Sequence, residues 1–151
     1  KNCHFEENTS TGLAMCGGQE WLIEGNTFVN NKGRTPGCDI DWEDGWDAMA
    51  LDVVRYNRFT SPLGIILSAG SSLAIYENEF TMSTMKAWGR TQNFRIYNNI
   101  FMGKGAITND FSTQAESILA RNIFTDGAGF TTGKEHENGS YQVHTYQNTT
   151  I

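Results

Sequence analysis

One tripeptide pattern constrains this chain more than anything else in it. Asn-X-Phe occurs as NTF at Asn26, NRF at Asn57, NEF at Asn78, NIF at Asn99 and NIF at Asn122, with a degenerate NTT at Asn148. CHF, ending at Phe5, reads as a first partial copy. The Phe positions are 5, 28, 59, 80, 101 and 124, so the spacings are 23, 31, 21, 21 and 23. A fixed motif at a period of 20–50 residues is the signature of stacked structural repeats.

The residues before each Asn repeat too. Ile23, Val54, Ile75, Ile96 and Leu119 stand three positions upstream, and Trp21, Leu73, Phe94 and Val143 stand five upstream of the Asn in their copies. Alternation with polar residues makes each of these a short strand with one face buried. Tyr76, Tyr97 and Tyr146 fall on the opposite face by parity. A second apolar run precedes each Phe by about fifteen residues: GLAM at 12–15, GIIL at 64–67, MKAW at 85–88 and AIT at 106–108. Each unit of 21 to 23 residues therefore carries at least two short strands. One unit cannot bury its apolar face alone, whereas stacked units form a continuous interior. Asn suits a recurring turn because it tolerates left-handed backbone geometry. Its amide can also bond to the same amide one coil away.

Rival architectures fail on pattern. Leucine-rich repeats need Leu-x-x-Leu-x-Leu, and helical arrays need 3.6-residue periodicity over longer units. A β-sandwich does not return one motif at one spacing. The expected fold is all-β: a single-domain, right-handed parallel β-helix of about six coils over 1–151. The chain does not begin with Met and its first motif starts almost at once, so a piece of a longer protein is expected. A net charge of −6 argues against nucleic acid or an anionic membrane as partner. No apolar run approaches the roughly 18 residues of a spanning helix. Cys3, Cys16 and Cys38 are an odd set without metal-like spacing, so no disulfide framework is implied.

The one long gap, Phe28 to Phe59, holds an insertion of about nine residues. NNKGRTPG at 30–37 reads as an exposed loop. CDIDWE then takes the place of GLAM and GIIL. If Ile40 and Trp42 point inward, Asp39, Asp41 and Glu43 point outward, with Ala14 on one side, Gly64 or Ile66 on the other, and Lys86 and Thr108 continuing the row. Acids at i and i+2 of a strand lie roughly 6.5–7 Å apart, near the carboxylate separation of inverting glycosidases. Crowding would raise one pKa and leave a protonated acid beside an ionised base. Asp41 and Glu43 are the preferred pair for this chemistry, with Asp39 able to replace either.

Asp44 and Asp47 continue the acidic run. Trp46, and Trp88 two coils on, offer ring faces on which a sugar could stack, and Lys86 could meet an anionic polymer. The plain alternatives carry equal weight: a solvated outer face, or an acidic turn that hydrogen-bonds its own backbone. Ca²⁺ is a third reading of EDGWD, although the spacing is not that of an EF-hand. No other cofactor is implied. His136 beside Glu135 is a weaker acid–base candidate in a polar loop.

The unit Ile-X-X-Asn-X-Phe at this spacing resembles right-handed parallel β-helix proteins of the pectate-lyase-like superfamily, from about residue 2 to about 150. DIDWEDGWD followed by DVVRYNRF is similar to a segment of phage tailspikes, neck appendages and related cell-wall-associated bacterial proteins. The resemblance implies a homotrimer on a virion tail or outside the cell. It implies binding, and often cleavage, of capsule, lipopolysaccharide or a teichoic-acid-type polymer. A non-catalytic shaft and a Ca²⁺-assisted lyase are the rival roles. No catalytic residue carries over, because no single motif defines the group and the polygalacturonase Asn-Thr-Asp, Asp-Asp and Gly-His-Gly set is absent.

Overall fold

The computed structural model describes residues 1–32, 37–43, 49–68, 70–87, 93–109, 117–132 and 143–151. Among them are nineteen strands of two to five residues and no helix. They fall into three parallel sheets in strict rotation, which makes a parallel β-helix with three strands per coil.

The first sheet stacks β1 (His4–Glu6), β4 (Thr27–Val29), β7 (Arg58–Phe59), β10 (Glu79–Thr81), β13 (Ile100–Met102), β16 (Ile123–Phe124) and β19 (Thr149–Thr150). The second stacks β2 (Leu13–Met15), β5 (Ile40–Trp42), β8 (Leu63–Leu67), β11 (Thr84–Ala87), β14 (Ala106–Asn109) and β17 (Gly129–Thr132). The third stacks β3 (Leu22–Glu24), β6 (Val53–Arg55), β9 (Ala74–Tyr76), β12 (Arg95–Tyr97), β15 (Ser117–Ala120) and β18 (Val143–Tyr146).

The motif explains the stacking. Phe28 pairs in register with Phe59, Phe59 with Phe80, Phe80 with Phe101 and Phe101 with Phe124. Their rings, with Phe5 at one end, stack at centroid separations of 4.5 to 5.1 Å. Parallel rungs lie about 4.8 Å apart, so identical residues one coil apart meet face to face without adjustment. Ile23, Val54, Ile75, Ile96 and Leu119 fill the third sheet's inner face, and Ile40, Trp42, Ile65, Leu67 and Met85 fill the second's. All join one core.

The Asn column is a hydrogen-bonded ladder. Asn57 donates its backbone N–H and its side-chain Nδ2 to the Asn78 Oδ1, both at 3.0 Å, and Nδ2 also reaches the Ile23 carbonyl at 2.9 Å. The same pattern runs from Asn26 through Asn57, Asn78, Asn99 and Asn122 to Asn148. Each amide thus satisfies backbone groups that a sharp corner would otherwise bury unpaired. The left-handed geometry expected of these Asn residues belongs instead to the residue before each: Tyr56, Glu77, Asn98, Arg121 and Gln147 all have φ between 49° and 56°. The ladder amide must face inward, so the residue before it takes the reversal.

Two expectations about the coil interior change. Trp21 does not join Leu73 and Phe94 inside; it is 48% exposed. Asp52 occupies that column on the next coil, and its carboxylate accepts the Trp21 backbone N–H at 2.8 Å. The indole turns outward and donates to the Gly17 carbonyl. Asn31, read as part of an exposed loop, is fully buried.

Candidate functional site

Strand β5 carries the acidic stretch, and the register is the one the spacing predicts. Asp41 lies between Ala14 and Ile66, and Lys86 and Thr108 continue the row. Ile40 and Trp42 are sealed in the core. The three acids nevertheless take three different situations.

Asp39 is not on the outer face. It is fully buried, in the bend before β5 rather than in the strand itself, so strand parity does not govern it. Its carboxylate turns into the corner beneath the Phe stack. There its Oδ1 accepts the Asn31 Nδ2 at 2.9 Å and the Ser61 hydroxyl. Gly12 and Gly64 occupy the same column one coil to either side. A Cβ at Gly12 would come within 3.2 Å of the Asn31 Nδ2 and 3.3 Å of the Phe28 ring, and one at Gly64 would come within 2.6 Å of the Ser83 Oγ. The column points inward, and only glycine neighbours leave room for a carboxylate in it. Gly64 is also where the ladder between β8 and β11 slips by one residue. Asp39 is therefore sealed from solvent, which corrects its expected place on the outer face beside Asp41 and Glu43.

Asn31, which the sequence did not suggest, organises this corner. Its backbone N–H donates to the Ser61 Oγ, its Nδ2 to the Phe5 carbonyl, and its Oδ1 accepts two bonds from Asn8. The signal was present: Asn8, Asn31 and Ser83 each stand three residues after a stacked Phe. The Asp39 Oδ2 and the Ser83 Oγ are buried without a hydrogen-bond partner. Burial is the main reason the Asp39 pKa rises from 3.8 to about 6, against the lowering effect of its Ser61 and Asn31 bonds.

Asp41 does keep the outward parity, yet it is only 3% exposed, as is Ile66 beside it. Its pKa also rises to about 6, first from burial and then from the charge of Glu43 and a hydrogen bond with the Glu43 carboxyl. Glu43 is exposed. The two carboxyls are thus neighbours on one side of β5, near enough for the charge of Glu43 to act on Asp41. Neighbouring like charges cannot both ionise easily, so Asp41 keeps its proton to a higher pH than an isolated carboxyl would. The neighbouring Cys38 thiol is buried and pushed up to about 12, mainly by burial and then by Asp41, which leaves it unreactive.

Lys86 is half-buried, two rungs from Asp41. Asp44, Trp46, Asp47 and Trp88 lie outside the described residues, as does His136. Among the described residues no group of three or more His, Cys, Asp or Glu is placed to hold a metal ion. No family model, curated protein or solved structure matches this chain.

Proposed function

We propose that the protein binds an extended bacterial surface polysaccharide or teichoic-acid-type polymer and cleaves it by general acid–base hydrolysis at Asp41 and Glu43, in the manner of a phage tailspike or appendage. The observation that carries this reading is the pair of neighbouring carboxyls on one strand end: Asp41 buried with its pKa raised to about 6, Glu43 open to solvent. Proton transfer from such a pair to a leaving oxygen contributes typically 10²–10⁴-fold to a rate. Glu43 is the member a polymer can reach, and Asp41 beneath it keeps the proton available. The glycosidic C–O bond breaks as the leaving oxygen takes that proton, and water adds at the other end and returns one to the pair. A parallel β-helix suits an extended polymer because each coil presents the same surface one rung further along.

The test is depolymerisation of a panel of capsules, lipopolysaccharides and teichoic acids, read by product size. Asp41→Asn and Glu43→Gln are compared with the parent after both are shown to keep β-rich circular dichroism. Loss of cleavage by at least about a hundredfold in a folded variant is the expected result. Cleavage should also decline as pH rises through about 6, where Asp41 gives up its proton. Equal cleavage by all three proteins, or none by any, would make the chain a binding shaft.

A further inference from the structure

The corner that carries the Asn ladder joins the third sheet to the first, the two sheets that do not hold Asp41. Along its outside runs a groove of about 460 Å³. The buried Asn57 and Asn78 form its floor. Tyr56, Glu77 and Asn98, the left-handed residues before successive ladder amides, form one wall. Arg58, Glu79 and Ile100, in register on β7, β10 and β13, form the other. The motif that builds the ladder therefore also builds two equally spaced walls, one residue to either side of it.

The wall chemistry narrows the occupant. The floor amides are spent on the ladder, so the groove offers no unpaired backbone donors or acceptors for a strand-forming peptide. Glu77 and Glu79 against Arg58 leave one net negative charge, on a chain that is itself at −6, which opposes a polyanion. A cation finds little better. Arg58 pairs with Glu79 at 3.4 Å, and Glu77 lies near the Tyr56 phenol, whose pKa it raises.

What remains is a ring face, an aliphatic edge and several hydroxyl-binding groups. Tyr56 is 56% exposed and Ile100 41% exposed. Tyr56 is also pre-set. The Arg55 guanidinium sits 5.5 Å from its centroid, and Tyr76 meets it edge-on at 6.5 Å. An aromatic held in place binds with less ordering cost. Carboxylates and an Asn amide recur at intervals of one rung, about 4.8 Å, so successive units of an extended polymer would meet similar groups.

We infer that this groove is a second, non-catalytic binding site for two to three units of a neutral glycan chain, with Tyr56 as its stacking platform. The inference shares the glycan class of the proposed function but does not depend on the Asp41–Glu43 pair. It separates the two polymer classes left open there, since a teichoic-acid-type polyanion would be excluded from this face.

The experiment is an amide chemical-shift titration of the isotope-labelled protein with cellohexaose, maltohexaose and chitohexaose, and with hexagalacturonate as the anionic control. At least one neutral hexamer should shift the amides of Tyr56, Glu77 and Asn98. Tyr56→Asn keeps a residue suited to left-handed geometry and should weaken that binding at least tenfold. Asp41→Asn should leave it unchanged, and hexagalacturonate should bind there at least tenfold more weakly. The inference is overturned if no neutral hexamer shifts these amides, if Tyr56→Asn binds as the parent does, or if hexagalacturonate binds equally well. None of those results touches polymer cleavage at Asp41, which the depolymerisation assay reads separately.

Discussion

Two buried polar columns run along this β-helix, and they are built to different standards. At the ladder corner, six Asn residues from Asn26 to Asn148 pass hydrogen bonds from coil to coil. At the Asp39 corner the column reads Asn8, Asn31, Ser61 and Ser83, with a carboxylate inserted from the side. The first column is self-satisfying because the same amide recurs at the same place. The second mixes residue types, and it leaves one carboxylate oxygen and one hydroxyl unpaired. A repeat satisfies its polar groups by repetition, and where the repeat is interrupted that guarantee lapses.

The largest expected effect breaks the regular column. In Asn78→Ala, the buried Asn57 N–H loses its acceptor and the Val54 carbonyl loses its side-chain donor. Each orphaned buried group costs about 1–3 kcal/mol, so urea unfolding should show a loss of several kcal/mol. Asp39→Ala should cost less, about 1–3 kcal/mol, because the partners left behind, Asn31 and Ser61, keep other bonds. A loss as large as that of Asn78→Ala would mean the two corners are equally critical.

The third prediction concerns pH. The Asp39 pKa is raised from 3.8 to about 6 in the folded chain, so between those values the unfolded state releases its proton first. Stability from this group is complete below about pH 4, falls as pH rises to about 6, and is level above that. Asp39→Asn should remove this component, so the stability difference between parent and variant should change between pH 4 and 6 and be flat outside that window. A difference that is flat throughout would refute the buried-acid assignment.

The smallest effect sharpens the comparison. Ser83→Ala deletes a buried hydroxyl that has no partner and should be neutral or stabilising by up to about 1 kcal/mol. Ser61→Ala removes a hydroxyl that both donates to Asp39 and accepts from Asn31, and should destabilise by about 1–3 kcal/mol. Thermal unfolding of the two variants side by side checks the sign.

Much of the architecture is legible in particular residues. Phe59 above Phe28, and Ala14 beside Asp41, follow from counting, because a parallel stack converts linear spacing directly into contact. The insertion did not shift that register: Thr27 still pairs with Arg58 across the long gap. Trp21 shows the limit, because counting assigned it to the core without weighing the Asp52 that shares its column. Asp39 shows another, since its inward turn depends on Gly12 and Gly64, which are far away in sequence and carry no side chain to notice.

The sequence by itself determined the parallel stack, the Phe and Asn columns and the row through Ala14, Asp41 and Lys86, leaving Gly64 or Ile66 between the last two. Period and parity suffice for these, because strands repeat every two residues and coils every 21 to 23. Only the tertiary structure decided which residue takes the left-handed turn, that Asp39 is buried, and that Asp41 is closed off from solvent. Those outcomes depend on how the backbone bends at a corner and on which neighbours leave space there, and neither is a property of spacing along the chain.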